Sequence, residues 1–156
     1  MMKNNKFCEV GCITLFLFVV SFLLNFVWES FHSVFLYQGH NFNAIKYVPM
    51  IGYVSIVDGL LVVGMYLIVS LLLKDIFWIR TPNKNKVVMF MVIGLIIAWF
   101  IEYRAVFIQS KWSYTALMPV IFGIGISPLL QLSITGIASL ILTKMLFYQK
   151  GVFYGR

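Results

Sequence analysis

The chain has 156 residues, of which 62% are hydrophobic and 11% charged, with a formal net charge of +7 and a mean hydropathy of +0.95. A soluble domain needs about 25% charged residues to cover its surface, so this composition excludes a soluble globular protein. It also excludes nucleic acid as a partner, because no polar stretch is long enough to fold into a basic surface. Long apolar runs alternate with short polar ones, without the ~10-residue alternation of membrane barrel strands. The expected fold class is therefore all-α: a polytopic membrane protein, a four-transmembrane-helix bundle, with residues 1–156 forming one integral membrane domain.

The first span is expected over about residues 11–36, after a tail carrying Lys3 and Lys6. This start resembles a secretory signal, but no small-x-small cleavage site follows and the apolar run continues, so it reads as an uncleaved span. Cys8 and Cys12, four apart, read as free thiols or one lipidated cysteine rather than as a metal site, for want of further cysteines. The second span is expected at about 48–73, the third at 87–108 and the fourth at 117–147, each reaching the ~20 apolar residues a bilayer requires. The fourth carries Pro119 and Pro128 and is expected to bend or to begin along the interface.

Nine bases (Lys3, Lys6, Lys74, Arg80, Lys84, Lys86, Lys144, Lys150 and Arg156) fall on one side, against Lys46, Arg104 and Lys111 on the other. The positive-inside rule then places both termini in the cytoplasm, in the cell's inner (plasma) membrane. Trp28, Trp78 and Trp99 read as belt anchors or as packing, and His40, in the second-side loop, as solvated.

Three carboxylates, Glu29, Asp58 and Glu102, lie inside these spans. An acid at a helix centre costs roughly 2.5–3.5 kcal/mol on insertion scales, so intramembrane acids mark functional sites by default. With the termini inside, all three converge on the outer half of the bilayer, as do Gln131, His32 and Asn25, the last one turn from Glu29. A shift of 73 residues carries Glu29 onto Glu102 and Asp58 onto Gln131, which suggests two parallel helix-hairpin repeats.

Glu29 and His32 form an E-x-x-H pair, a spacing used in di-metal bundles. One pair alone is weak, and a hydrogen-bonded polar core in which His32 and Asn25 satisfy the acids is preferred to a metal ion. No cofactor is expected. Arg104 reads either as a counter-ion reaching Glu29 or Asp58 across the bundle or as an interfacial arginine snorkelling to headgroups.

An acid late in one helix, then Trp112-Ser113-Tyr114 in a short loop, then Ser127-Pro128-Leu129-Leu130-Gln131 early in the next helix resembles the carotenoid (lycopene) cyclase domain. The matching residues are Glu102, Trp112, Tyr114 and the stretch from Ser127 to Gln131. Where that family carries paired glutamates this chain has Leu130 and Gln131, so the resemblance bears on fold and substrate class. The pattern is also similar to small four-span bacterial membrane proteins of unassigned function.

The leading expectation is a membrane-embedded enzyme acting on a lipid or isoprenoid substrate by carboxylate acid/base chemistry. Glu29, Asp58, Glu102 and His32 would be its catalytic residues; Asn25, Arg104, Trp112, Tyr114 and Gln131 would bind substrate. The alternatives are a small proton- or cation-coupled transporter and an accessory subunit of a membrane complex. Expected partners are membrane lipid, a hydrophobic small molecule and a second copy in a homodimer.

Overall fold

The computed structural model describes residues 2–149, with side chains from residue 6 to residue 147. The Lys3 side chain, Lys150 and Arg156, which enter the expected orientation, lie outside the described residues. Four long helices cross in alternating directions: α1 (Met2–Phe35), α2 (Ala44–Leu73), α3 (Lys84–Tyr103) and α4 (Ile126–Lys144). Each is long and apolar enough to cross a membrane. This is an all-α four-helix bundle and a multi-pass membrane protein.

Local chemistry sets the helix ends. Asn43 caps α2 by accepting from the Ile45 amide at 3.0 Å, and Asn83 caps α3 by accepting from the Lys86 amide at 3.0 Å. Lys74 closes α2 in the left-handed conformation, with φ 51°. Pro128 sits in the first turn of α4, where helical N–H groups have no partner to lose. The fourth helix therefore starts at Ile126, not at 117 as the apolar run suggested. Residues 120–125 form a hairpin instead, β3 (Val120–Ile121) against β4 (Ile124–Gly125). Phe122 and Gly123 at its tip both have positive φ, as a two-residue type I′ turn requires. Proline thus neither bends nor tilts the span here, because Pro119 precedes the hairpin and Pro128 opens the helix.

Around the bundle the packing order is α2, α1, α4, α3, with a lighter α2–α3 contact closing the ring. Small residues allow the close approaches. A Cβ on Gly94 would come within 2.7 Å of the Met65 methyl and of Ser133 Oγ. The Ser133 hydroxyl uses that approach to donate to the Met91 carbonyl at 3.0 Å. The core at the termini end is aromatic: Tyr66, Trp78 and Phe90 are fully buried, with ring centroids 5.5 and 6.1 Å apart along the series. Trp78 donates to Ser70 Oγ at 3.1 Å and is packing, not an interfacial anchor. Trp99, by contrast, is exposed on the lipid-facing side of α3, stacked on Tyr103 at 5.3 Å.

At the other end, β1 (Tyr37–Gln38) follows α1 and β2 (Ser113–Tyr114) follows α3; they pair antiparallel, Tyr37 opposite Tyr114. Thr115 reinforces the ribbon, its hydroxyl donating to the Phe35 carbonyl at 2.9 Å and its amide to the Leu36 carbonyl at 3.0 Å. The segments that follow the first helix of each hairpin therefore meet over the end of the bundle, directly above the buried acids.

Candidate functional site

One carboxylate or amide comes from each helix: Glu29 from α1, Asp58 from α2, Glu102 from α3 and Gln131 from α4. The four line a single cavity of about 380 Å³. The clustering expected from chain position is thus real.

Gln131 is the hub. Its side-chain amide nitrogen lies 2.6 Å from Glu29 Oε1, 3.1 Å from Asp58 Oδ2 and 3.2 Å from Asn25 Oδ1. An amide has two hydrogens for these three acceptors, so Glu29 and Asp58 compete for one donor group. Asn25 turns away from the acids: its amide donates to the Ser21 carbonyl at 2.9 Å, and its oxygen accepts from Thr135 at 3.1 Å. The sequence expectation that Asn25 and His32 satisfy the acids is corrected here, because Gln131 does so. The 73-residue shift carries Asp58 onto Gln131, and these two groups meet directly.

Glu102 has a separate and richer environment. Tyr37 donates its hydroxyl to Oε1 at 3.0 Å; Tyr114 and Trp112 donate to Oε2 at 2.5 and 3.4 Å. Three donors from two connections converge on one buried carboxylate. The ribbon supplies the geometry, since pairing Tyr37 with Tyr114 sets their rings 5.5 Å apart with Trp112 edge-on to Tyr37 at 5.7 Å. Trp112 and Tyr114 were expected from the sequence; Tyr37 was not. Its only advance signal is an aromatic residue just past the end of α1.

Three residues stand elsewhere than expected. Arg104 is exposed in a π-helical turn, Arg104–Ile108, that continues α3, and it joins no ion pair among the described residues. Of its two expected readings the counter-ion one fails, because Arg104 pairs with neither Glu29 nor Asp58; exposed, it can snorkel. His40 is half-buried on the cavity wall with its ring 6.0 Å from Tyr37, rather than solvated. His32 is buried but makes no hydrogen bond through either ring nitrogen; Nδ1 is 4.0 Å from Glu29 Oε1. Lys111, which sequence reasoning treated only as a loop base, is exposed and lines the same cavity. No three His, Cys, Asp or Glu side chains among the described residues are placed to hold a metal.

The groups at the cavity mouth titrate abnormally. Burial, then the charge of Glu102 and the hydrogen bond to it, push the Tyr37 phenol above its usual value of 10.0. Burial and the Glu102 hydrogen bond do the same to Tyr114. Burial lowers the His40 imidazole from 6.5. A phenol raised in the folded state contributes stability that is intact below pH 10 and lost as pH rises through the folded value; a depressed imidazole costs stability as pH falls below 6.5. In an alkaline ultraviolet titration, Tyr37→Phe and Tyr114→Phe should each remove amplitude from a late phase well above pH 10. Amplitude lost instead from the phase near 10 would contradict the Glu102 cage.

Comparison with protein-family models, with curated proteins and with solved structures finds no match for this chain.

Proposed function

We propose that this protein is a membrane-embedded enzyme that acts on a lipid or isoprenoid substrate by carboxylate acid/base chemistry, with both termini cytoplasmic in the plasma membrane. The observation that carries the reading is the composition of one cavity: three carboxylates, with Gln131, His40 and Lys111, share walls with Met50, Ile51, Val54, Ala98, Ile101 and Leu132. Binding sites combine a mainly apolar lining with a few convergent polar groups in this way, and an apolar lining at membrane depth suits a hydrocarbon.

The chemistry follows from the two carboxylate environments. The protonated member of the Glu29–Asp58 couple delivers a proton to one carbon of a substrate double bond, leaving a cation on the other. Glu102, held by three donors, is the fixed negative charge facing that cation, with the Tyr37 and Trp112 rings beside it. A carboxylate of the couple then takes a proton from a neighbouring carbon, so the double bond moves or a ring closes and no atom is gained or lost. The similarity of Glu102, Trp112, Tyr114 and Ser127-Pro128 to the carotenoid cyclase pattern, from which the chain departs at Leu130 and Gln131, supports the same substrate class.

The test is mass spectrometry of lipids and pigments that co-purify in mild detergent with the wild type, Glu29→Gln and Glu102→Gln. An apolar isoprenoid or lipid retained by one form, or accumulating in the variant strains, is the expected result. Only bulk phospholipid in all three would sink the proposal.

A second reading, a small proton-coupled carrier, draws on one observation. A buried polar stripe of Ser21, Asn25, Thr135, Ser139 and Thr143 continues from the acids between α1 and α4 toward the termini end. Proton flux in liposomes that Asp58→Asn abolishes would decide for it.

A further inference from the structure

His32 is the titratable side chain beside the acids that the proposed chemistry does not use. It is buried, and neither ring nitrogen makes a hydrogen bond. Both nitrogens are sealed off, so only ring carbons reach the lipid-facing groove between α1 and α4. Buried polar groups are hydrogen-bonded with few exceptions, and an idle imidazole N–H is one of those exceptions. The ring is packed rather than loose, with Tyr37 at 4.8 Å and Trp28 edge-on at 6.5 Å. A partner therefore has to come to it. Glu29 Oε1 stands 4.0 Å from Nδ1, one helical turn away. That is about 1 Å beyond hydrogen-bond length.

Donors and acceptors in the cluster balance only when that gap closes. As the side chains stand, the two Gln131 amide hydrogens face three acceptors, in Glu29, Asp58 and Asn25, while the imidazole hydrogen faces none. Both Asn25 amide hydrogens go to Ser21 and cannot help. When Glu29 Oε1 turns to His32 Nδ1, Gln131 keeps Asp58 at 3.1 Å and Asn25 at 3.2 Å, one hydrogen for each. Every amide and imidazole N–H of the cluster then has an acceptor, and only the Glu29 side chain has moved. The two acids are not equivalent in this respect. Glu29 has two donors within its reach, Gln131 and His32, and Asp58 has Gln131. Donors favour the ionised form of a carboxyl group.

We infer that His32 is a positioning residue of the acid couple: its Nδ1–H holds Glu29 as the carboxylate and leaves the couple's proton on Asp58. The chemical role of this arrangement rests on the acid/base reading. Asp58 gives its O–H proton to one carbon of the substrate double bond, and Glu29, held by His32, takes a proton from a neighbouring carbon. Glu29 then turns back to Gln131, 2.6 Å away in the arrangement described, and returns the proton to Asp58, which shares that amide. His32 itself neither gains nor loses a proton.

The chain has two histidines, His32 and His40, so the full chain made with histidine labelled in heavy nitrogen, in phosphatidylcholine nanodiscs, gives two rings by nitrogen NMR, told apart with His40→Asn. Wild-type His32 should carry its proton on Nδ1, because the hydrogen bond a ring makes selects its tautomer. Glu29→Gln should shift that nitrogen, and Asp58→Asn should leave it in place. Infrared spectra then locate the couple's proton. In the wild-type background Asp58→Asn should remove a protonated-carboxyl C=O band. In the His32→Phe background the band should survive Asp58→Asn and be lost with Glu29→Gln. His32→Gln, whose amide still donates, should restore the wild-type pattern, which a merely structural histidine would not control. A proton on Nε2 alone in the wild type overturns the inference. So does an Nδ1 signal indifferent to Glu29→Gln, or a band that survives Asp58→Asn in the wild-type background. If His32→Phe does not elute as a folded species, the wild-type tautomer and the Asp58→Asn spectrum still decide. Neither spectrum uses substrate, so a lipid search that finds only bulk phospholipid sinks the enzymatic reading and leaves this proton assignment standing, and an Nε2 proton does the reverse.

Discussion

Replacing Glu102 with alanine should lower the thermal midpoint of the purified protein by about 10 °C. The carboxylate accepts from Tyr37, Tyr114 and Trp112, and its removal leaves three donors facing a cavity with no acceptor. Each orphaned donor costs about 1–3 kcal/mol, and a chain of this size loses roughly 2–4 °C per kcal/mol. The damage should also be local in character. Tyr37 and Tyr114 belong to the β1–β2 ribbon, so without Glu102 the ribbon loses its anchor to α3 and its amides should exchange hydrogen faster. Tyr37→Phe removes one donor and leaves the acceptor two others, so it should cost only about 1 kcal/mol. A melting curve followed by tryptophan fluorescence checks both. An alanine variant as stable as the tyrosine variant would mean that the cage contributes nothing to the fold.

Gln131→Leu should be comparably severe for a different reason. Leucine preserves volume and apolarity but withdraws the donor that Glu29 and Asp58 share, and with it a donor to Asn25. Stripping the partner from buried charge costs about 3–5 kcal/mol in measured cases, again on the order of 10 °C. A double-mutant cycle isolates the interaction. Glu29→Gln combined with Gln131→Leu should be less harmful than the two losses added, with a coupling of about 0.5–3 kcal/mol for groups in direct contact. Strict additivity would show that the 2.6 Å contact carries no energy. Gln131→Asn, which keeps the amide but shortens its reach, should fall between wild type and leucine.

Much of this architecture was legible in the chain. Four apolar runs specify four helices because a bilayer leaves the backbone no other way to satisfy its own hydrogen bonds over that distance, short of a closed barrel. Glu29, Asp58, Glu102 and Gln131 could be singled out because an acid or amide in such a run is expensive, and alternating helix direction fixes its depth. Asn25 could be placed beside Glu29 from helical spacing alone.

Other features depended on contacts that no local pattern announces. Tyr37 reaches Glu102 across 65 residues of sequence, through a ribbon of two-residue strands too short to leave a periodic signal. The true start of α4 was hidden because the β3–β4 hairpin is as apolar as the helix it precedes; only its backbone, left-handed at Phe122 and Gly123, breaks the run. For Arg104 the sequence left a counter-ion and a snorkelling reading open, and only the bundle shows it exposed and in no ion pair among the described residues. His32 lies one turn from Glu29 and was expected to serve the acids, yet tertiary packing against Tyr37 holds its ring over the α1–α4 groove. Lys111 and His40 were read as loop residues, and the closing of the ribbon over the bundle brought them to the cavity. Sequence by itself determined the solvent, the number of spans and the depth of the acids, because transfer free energy is a property of each segment alone. Tertiary structure decided which groups share a proton donor, which carboxylate is caged and which histidine is left idle, because hydrogen bonds depend on the relative placement of side chains on different helices to a few tenths of an ångström.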